Sequence, residues 1–314
     1  MKDLSETSLK YSPGLTVGVI THDRSSLFGN LLVHLKIAIE YAHSEDIDFG
    51  KCSLLVVNNS GSGMRYVVQK IVDESGIADA CSVKIIDSPE NNIAVGRNLV
   101  LESTLSRWLV FVDDDEYPIA DWICKLYYRQ QISGSATTAG PIEPVYPNGT
   151  PEWVAAVDLH NKGNLKSGDQ LRRVATGNCL LDMEQIGTHR FDPEFGLTGG
   201  SDALFFEQLA DRGLYVVWQE DAIVHETIPA SRASSSYMIF RCMTQGQNFK
   251  RVVLRKASFS RQILFTLKAL IVAPVSLVVG TLALPISAQF SALWLKRGFT
   301  NLGKLVRPSR RLYG

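Results

Sequence analysis

No aspartate or glutamate follows Glu226: residues 227–314 hold 14 lysines and arginines and no acid, whereas residues 1–226 hold 18 basic side chains against 32 acidic ones. The formal charge of zero is therefore the average of an acidic body and a basic carboxyl-terminal part. Cysteine is scarce as well. Cys52, Cys81, Cys124, Cys179 and Cys242 are widely spaced and form no CxxC pair, which argues against a disulfide framework or structural zinc site and fits a reducing, cytosolic setting. The amino-terminal stretch MKDLSETSLKYSPG lacks the basic-then-apolar order of a secretory signal, and none is expected. There is no internal repeat. Bulk nucleic-acid binding fits poorly, because the acidic part is most of the chain and the basic part contains a long apolar run. With 45% hydrophobic residues in 314, the chain can bury one large core or two smaller ones, which argues against a disordered protein.

What is present begins with four β-branched runs: LTVGVI at 15–20, SLLVVNN at 53–59, VKIID at 83–87 and WLVFVDDD at 108–115. Continuous apolar character is the mark of strands buried on both faces. Residues 27–43, 64–75 and 94–104 between them have helical spacing, so the order predicts right-handed βαβ units. In such sheets ligands gather at the carboxyl ends of the strands. Three of these ends are polar: Thr21-His22-Asp23-Arg24, Asn58-Asn59-Ser60-Gly61 and Asp113-Asp114-Asp115-Glu116.

Four consecutive acids are costly to gather, since each charge opposes ionisation of the next, and a divalent cation removes that cost. Asp113 and Asp115, two residues apart, can point the same way and offer hard oxygen ligands to Mg²⁺ or Mn²⁺. A solvated acidic turn is the alternative. Further on, 137–153 reads as strand and loop, 177–182 as a short strand, 201–213 as a helix and 214–226 as two strands.

In this order the segments resemble family 2 glycosyltransferases of the GT-A fold. The signs are LTVGVITHDR, LLVVNNSGSG, Asn92 followed by Arg97-Asn98, FVDDDE as the DxD segment, and GGSDALFFEQLADRG with VVWQEDAIVHE after it. They cover roughly 14–250 and are most similar to bacterial exopolysaccharide enzymes of succinoglycan type. The resemblance implies an α/β fold, with a Rossmann-like, mostly parallel sheet flanked by helices over 14–230. A polar tail at 1–13 precedes it and a basic helical region at 231–314 follows.

It further implies a nucleotide-diphosphate sugar donor, usually a UDP-sugar, and Mg²⁺ or Mn²⁺. Asp115 would be the direct metal ligand and Asp113 would lie nearer the ribose, with Asp114 between them in the donor-binding set. His225 matches a position where some members supply another metal ligand, though a lone histidine is also often structural. Thr21 and Asp23 would lie near the nucleotide and Asn58 or Asn59 near the base, where the family often has Asp. Arg97 would face the pyrophosphate or simply neutralise the acids. Asp202 is the expected catalytic base, taking the acceptor's proton as the sugar inverts. The family commonly has Glu-Asp here, so Ser201 removes an acidic neighbour; an N-cap by Ser201 is the structural alternative. Trp218 could stack on a sugar or belong to the core. The QxxRW motif of processive synthases is missing, so one sugar per encounter is expected.

Ala269 to Leu295 is 27 residues without a charge, interrupted by Pro274 and Pro285. As a helix it would measure about 40 Å against a hydrocarbon core of about 30 Å. Basic residues lie on both sides, including Arg251, Arg255, Lys256, Arg261 and Lys268 before it and Lys296, Arg297, Lys304, Arg307, Arg310 and Arg311 after it, so no orientation is preferred for a single span. The two prolines allow a hairpin or re-entrant arrangement on an anionic leaflet; a buried helical pair is the alternative. The expectation is a catalytic domain on the cytoplasmic face of the plasma membrane, acting on a lipid-linked oligosaccharide and open to polysaccharide-assembly partners. A catalytically idle sugar-nucleotide-binding scaffold competes with it. An oxidoreductase fits less well, since Gly61 and Gly63 lack the third glycine of GxGxxG.

Overall fold

Four apolar strands and the helices between them form the first half of the computed structural model, which describes residues 11–306 apart from 46, 48, 49, 158 and 160–163. The polar residues 1–10 and the basic Arg307, Arg310 and Arg311 lie outside the described residues. In order come β1 (Ser12–Thr21), α1 (Ser25–Ser44), β2 (Lys51–Asn58), α2 (Arg65–Ser75), β3 (Ser82–Asp87), α3 (Ile93–Ser103) and β4 (Ser106–Phe111). Alternate residues of these strands enter two cores. Val17, Val19, Leu54, Val56 and Val110 pack under α1, whose Phe28, Leu31, Leu32, Leu35 and Ile39 repeat at helical spacing. Leu55, Val57, Leu109 and Phe111 face the other way, toward α3. Each such side chain contributes about 1.5–3 kcal/mol on burial, which is why the runs are apolar without alternation.

The second half adds β5 (Glu116–Pro118), α4 (Trp122–Ser133), β6 (Thr137–Ala139), β7 (Ile142–Val145), α5 (Glu152–Val157), β8 (Gln170–Leu171), β9 (Cys179–Asp182), α6 (Met183–Ile186), α7 (Ser201–Asp211), β10 (Val216–Trp218) and β11 (Val224–Thr227). The main sheet has the order β3-β2-β1-β4-β9-β6-β10-β8, and β5-β11-β7 form a smaller one. β3, β2, β1 and β4 are mutually parallel, β9 runs antiparallel between β4 and β6, and β8 is antiparallel at the edge. Thr21 pairs with Asn58 and Asn58 with Asp87, so these carboxyl ends are level and open on one crevice.

Gly18 marks a close strand-to-helix approach. A Cβ there would stand 2.5 Å from Val100 Cγ1 of α3 and 3.3 Å from Leu109 Cδ1. Gly18→Ala is expected to cost about 1–3 kcal/mol, read as a lowered urea midpoint with an unchanged slope.

Three expectations are corrected. The strand anticipated over 108–115 stops at Phe111, whose ladder partners are Gly18 and Cys179, and the acids occupy the turn beyond it. The polar tail anticipated to residue 13 ends earlier, as β1 starts at Ser12. Pro274 does not break its helix. After α8 (Ser235–Val253), α9 (Phe259–Ala283) runs through Pro274, and the chain turns only around Pro285 before α10 (Ala288–Leu305). α10 is sandwiched: Gly280 and Leu277 of α9 meet Leu295 and Gly298 on one side, and Met243 and Gly246 of α8 meet Gly303 and Thr300 on the other. Ala292 also packs with Val154 and Val157 of α5.

Candidate active site

At the carboxyl ends of β1 and β4 lies a cavity of about 390 Å³. Its floor is the turn after β4. Asp114 and Asp115 are almost fully buried and Asp113 is half-buried. Arg24, just past β1, donates from Nη1 to Asp114 Oδ1 at 2.9 Å and to Asp115 Oδ2 at 2.6 Å. Arg232 reaches the same Asp115 oxygen at 3.2 Å. The His22 backbone N–H donates to Asp114 Oδ2 at 3.1 Å, and the Asp113 N–H donates to Glu116 Oε2 at 2.8 Å. Arg97, 7% exposed on α3, donates to Ser201 Oγ at 3.0 Å and stands 3.9 Å from Asp113.

Even with these cations the acids are in surplus. Burial raises the Asp115 carboxyl to about 7, with Arg24 opposing and Glu226 and Asp113 adding. Burial likewise raises Asp113, against Arg97, and holds Glu116 well above the ordinary carboxylate range, with Asp113 adding. Glu116 sits directly across from Glu226 in the β5–β11 pair, where like charges repel. The Arg24 guanidinium is held above its usual value: burial lowers it, but Asp115, Asp114 and Asp113 outweigh that.

The far wall is the start of α7. Gly199 and Gly200 have φ of 77° and 90°, which suits glycine, and a Cβ on Gly200 would meet Asn248 of α8 at 3.1 Å. Asp202 follows in the first helical turn, its Oδ1 accepting the Ala203 N–H at 2.8 Å, and it lines the cavity. Its charge is felt by Asp113 across the space. Ser201 is not the N-cap; Gly200 takes that position, and the Ser201 hydroxyl serves Arg97 instead. Ser201 thus ties the start of α7 to α3.

The other anticipated residues divide. Asn59 lines the cavity and donates to Asn91 Oδ1 at 3.2 Å. Asn58 is fully buried behind it, donating to the Gly61 carbonyl and to Asp87, so it shapes the loop. Thr21 is buried, its carbonyl accepting the Asn59 N–H. Asp23, with a positive φ of 50°, is exposed and offers its N–H to Ser60; neither it nor Thr21 nor Asn58 is on the cavity wall. His225 is also off the wall. Successive side chains of β11 point to opposite faces, so Glu226 faces the acids while His225 lies against Tyr117, 3.7 Å from Glu143. Trp218 is a core residue, 7% exposed. Wall residues to which the sequence assigned no role are Arg24, Arg232, Glu226 and, from α8, Tyr237, Met238 and Arg241. The wall therefore takes residues from both sides of position 230.

Among the described residues no three His, Cys, Asp or Glu side chains are gathered as a metal cage. The donor set nonetheless fits a hard divalent cation, which is commonly held by one or two carboxylates plus substrate phosphates. Asp113 and Asp115 supply the carboxylates, and both are raised chiefly by burial, with neighbouring acids adding, so a bound cation would favour their charged forms.

A mixed α/β sheet with an acidic turn at the β4 edge, facing a helix amino-terminus across one cavity, defines a GT-A architecture. Solved structures of that class are similar: a mannosyltransferase from Pyrobaculum calidifontis in complex with GDP-Man and Mn²⁺ (TM-score 0.55, 15% identity, 80% of this chain and 67% of that one), and S. aureus TarS in complex with UDP-GlcNAc (TM-score 0.53, 14% identity, 93% and 90%). Residues 46–184 match the family described as glycosyl transferase family 2. The succinoglycan biosynthesis protein ExoM of Rhizobium meliloti (strain 1021) is 31% identical over 179 residues, 56% of this chain; the match spans 58% of that relative's length.

Proposed function

We propose that the protein transfers a single sugar from a nucleotide-diphosphate sugar, preferably a UDP-sugar, to a lipid-linked oligosaccharide at the cytoplasmic face of the plasma membrane, in exopolysaccharide assembly. The observation that carries the reading is one cavity in which the acidic turn after β4, the guanidinium groups of Arg24, Arg97 and Arg232, and Asp202 converge. Arginines suit a diphosphate, which they can bind through paired N–H groups. Asn59, just past the end of β2 and on the cavity wall, would read a base edge. Asp113 and Asp115 would hold the divalent cation, which when bound supplies Lewis-acid neutralisation of the leaving diphosphate.

Asp202 would accept the proton of the acceptor hydroxyl. As that oxygen bonds to the anomeric carbon from the opposite face, the carbon–phosphate-oxygen bond breaks and its electron pair leaves with the nucleoside diphosphate, giving inversion. The acid-free, basic carboxyl-terminal part and the apolar α9 support membrane association, where a lipid-linked acceptor and other assembly proteins would be met.

The test is a panel of nucleotide sugars with membrane lipid acceptor, with and without EDTA. Turnover of one nucleotide class, abolished by EDTA and restored by Mn²⁺ or Mg²⁺, is expected. Calorimetric donor binding without turnover in the presence of acceptor would instead identify an idle binding protein, and full activity in EDTA would remove the metal from the scheme.

A further inference from the structure

The outward face of α9 is apolar, and among the described residues nothing is folded over it. Leu264, Leu267, Ile271, Val275, Val278 and Leu282 are between 52% and 70% exposed, whereas Ala269, Ala273, Ser276 and Gly280 face inward and are buried. A contiguous apolar stripe of this length is rare on a soluble monomer and marks an interaction surface. The helix is long and apolar enough to cross a bilayer, with a mean hydropathy of 2.2 in its most apolar window.

Its packing contradicts a crossing. α9 is bound along α10 from Gly280 against Leu295 to Leu277 against Gly298, and near its start Phe265 stacks toward Phe249 of α8. α10 is in turn bound along α8 and α5, with Lys296 donating to the Val157 carbonyl. An upright α9 would pull α10, with Lys296 and Arg297, and α5, with Glu152, into hydrocarbon, where charged groups are expensive.

The fold therefore makes α9 an outermost layer lying along the body. The charges carried by α9, α10 and the segment before α9 are of one sign: Arg255, Arg261, Lys268 and Arg297 are exposed, and no acid follows Glu226 in the sequence. An apolar face rimmed by cations complements an anionic leaflet, acyl chains below and phosphates at the edge.

We propose that α9 lies flat in an anionic membrane leaflet, inserting its Leu264-to-Leu282 face while α10 and α8 hold the catalytic cavity above it. This deepens the membrane reading above and rests on it; donor binding does not depend on it. The test uses the full chain with sonicated vesicles. Binding to phosphatidylcholine–phosphatidylglycerol vesicles is expected to exceed binding to phosphatidylcholine alone by about tenfold or more, and to fall with salt. Ile271→Glu with Val275→Glu, both on the exposed face, should reduce it by a similar factor with unchanged circular dichroism.

Depth is read from single cysteines at Leu264, Ile271 and Val278, labelled with a fluorophore and quenched by lipids carrying quenchers at different acyl positions. The five native cysteines are buried, so labelling is confined to the introduced one. Leu264 and Val278 are 14 residues apart, about 21 Å along the axis. A flat helix places all three at one shallow depth, about 5–10 Å below the surface. A depth gradient approaching the axial separation would overturn the flat arrangement and leave membrane binding standing. No vesicle binding, with the apolar face instead protected in a concentration-dependent dimer, would overturn both.

Discussion

Asp202→Asn is expected to lower turnover by about 10²–10⁴-fold while leaving donor affinity within about threefold of wild type. The substitution is nearly isosteric. The side-chain oxygen that accepts the Ala203 N–H can be kept, since an amide carbonyl accepts as a carboxylate does. What is lost is the ability to take a proton. Among the described residues no other hydrogen bond to this side chain is present, so α7 does not depend on it for its anchoring, which comes from Arg97 on Ser201 and from Arg251 on Thr198 at 2.5 Å. The measurement is a single-turnover transfer assay with saturating donor and Mn²⁺ or Mg²⁺, beside calorimetric titration of the nucleotide sugar. Full transfer by Asp202→Asn would mean that another group removes the acceptor proton. Loss of donor binding would instead place Asp202 among the donor-holding groups.

Much of this arrangement was legible in the chain because it rests on patterns that burial enforces. β1, β2 and β4 are buried on both faces, so no alternation was possible and the apolar runs stood out. The acids at 113–116 were conspicuous because they follow such a run directly. The residues that neutralise them were not. Arg24 reads as one polar residue in a loop, and Arg232 comes 117 residues after Asp115, so only the folded chain brings it to that carboxylate. The exchange of His225 for Glu226 is a matter of parity. β11 has only four residues, and a one-residue choice decides which side chain faces the cavity. Ser201 looked like a cap because serine before an acidic first turn often is one; the neighbouring Gly199-Gly200 pair, at positive φ, shifts the cap by one position and frees the hydroxyl for Arg97. Pro274 misled for a related reason. Its ring and missing N–H argue for a break, but α9 is held against α10 at Leu277 and Gly280, and the proline sits on the exposed side of the helix.

The second large effect is expected at Asp115. Asp115→Asn should reduce turnover by about 10²–10³-fold or more, because the carboxylate that would hold the cation against the leaving diphosphate becomes a neutral amide. Unlike Asp202→Asn, it should weaken donor binding in the same experiment, since cation and diphosphate bind as one unit. Stability without metal is expected to hold or rise slightly, because burial, opposed by Arg24 and helped by Glu226 and Asp113, raises the Asp115 carboxyl to about 7, so the fold disfavours its charged form relative to the unfolded chain. Arg24 keeps Asp114 at 2.9 Å, whereas Arg232 has only its 3.2 Å contact to Asp115 among the carboxylate pairs found in the described residues. Both guanidinium groups are partly solvated, so losing the ion pair costs little against the relief of the buried carboxylate, and the net change is expected to stay within about 1 kcal/mol of wild type. Urea unfolding of the variant and of wild type, without added metal, gives this number. Mn²⁺ binding followed by the electron paramagnetic resonance of the free ion gives the other half. Wild type with nucleoside diphosphate should remove the free signal, and Asp115→Asn should leave most of it. A variant that bound Mn²⁺ and donor normally while losing stability would show that Asp115 anchors Arg24 and Arg232 and takes no part in holding the cation.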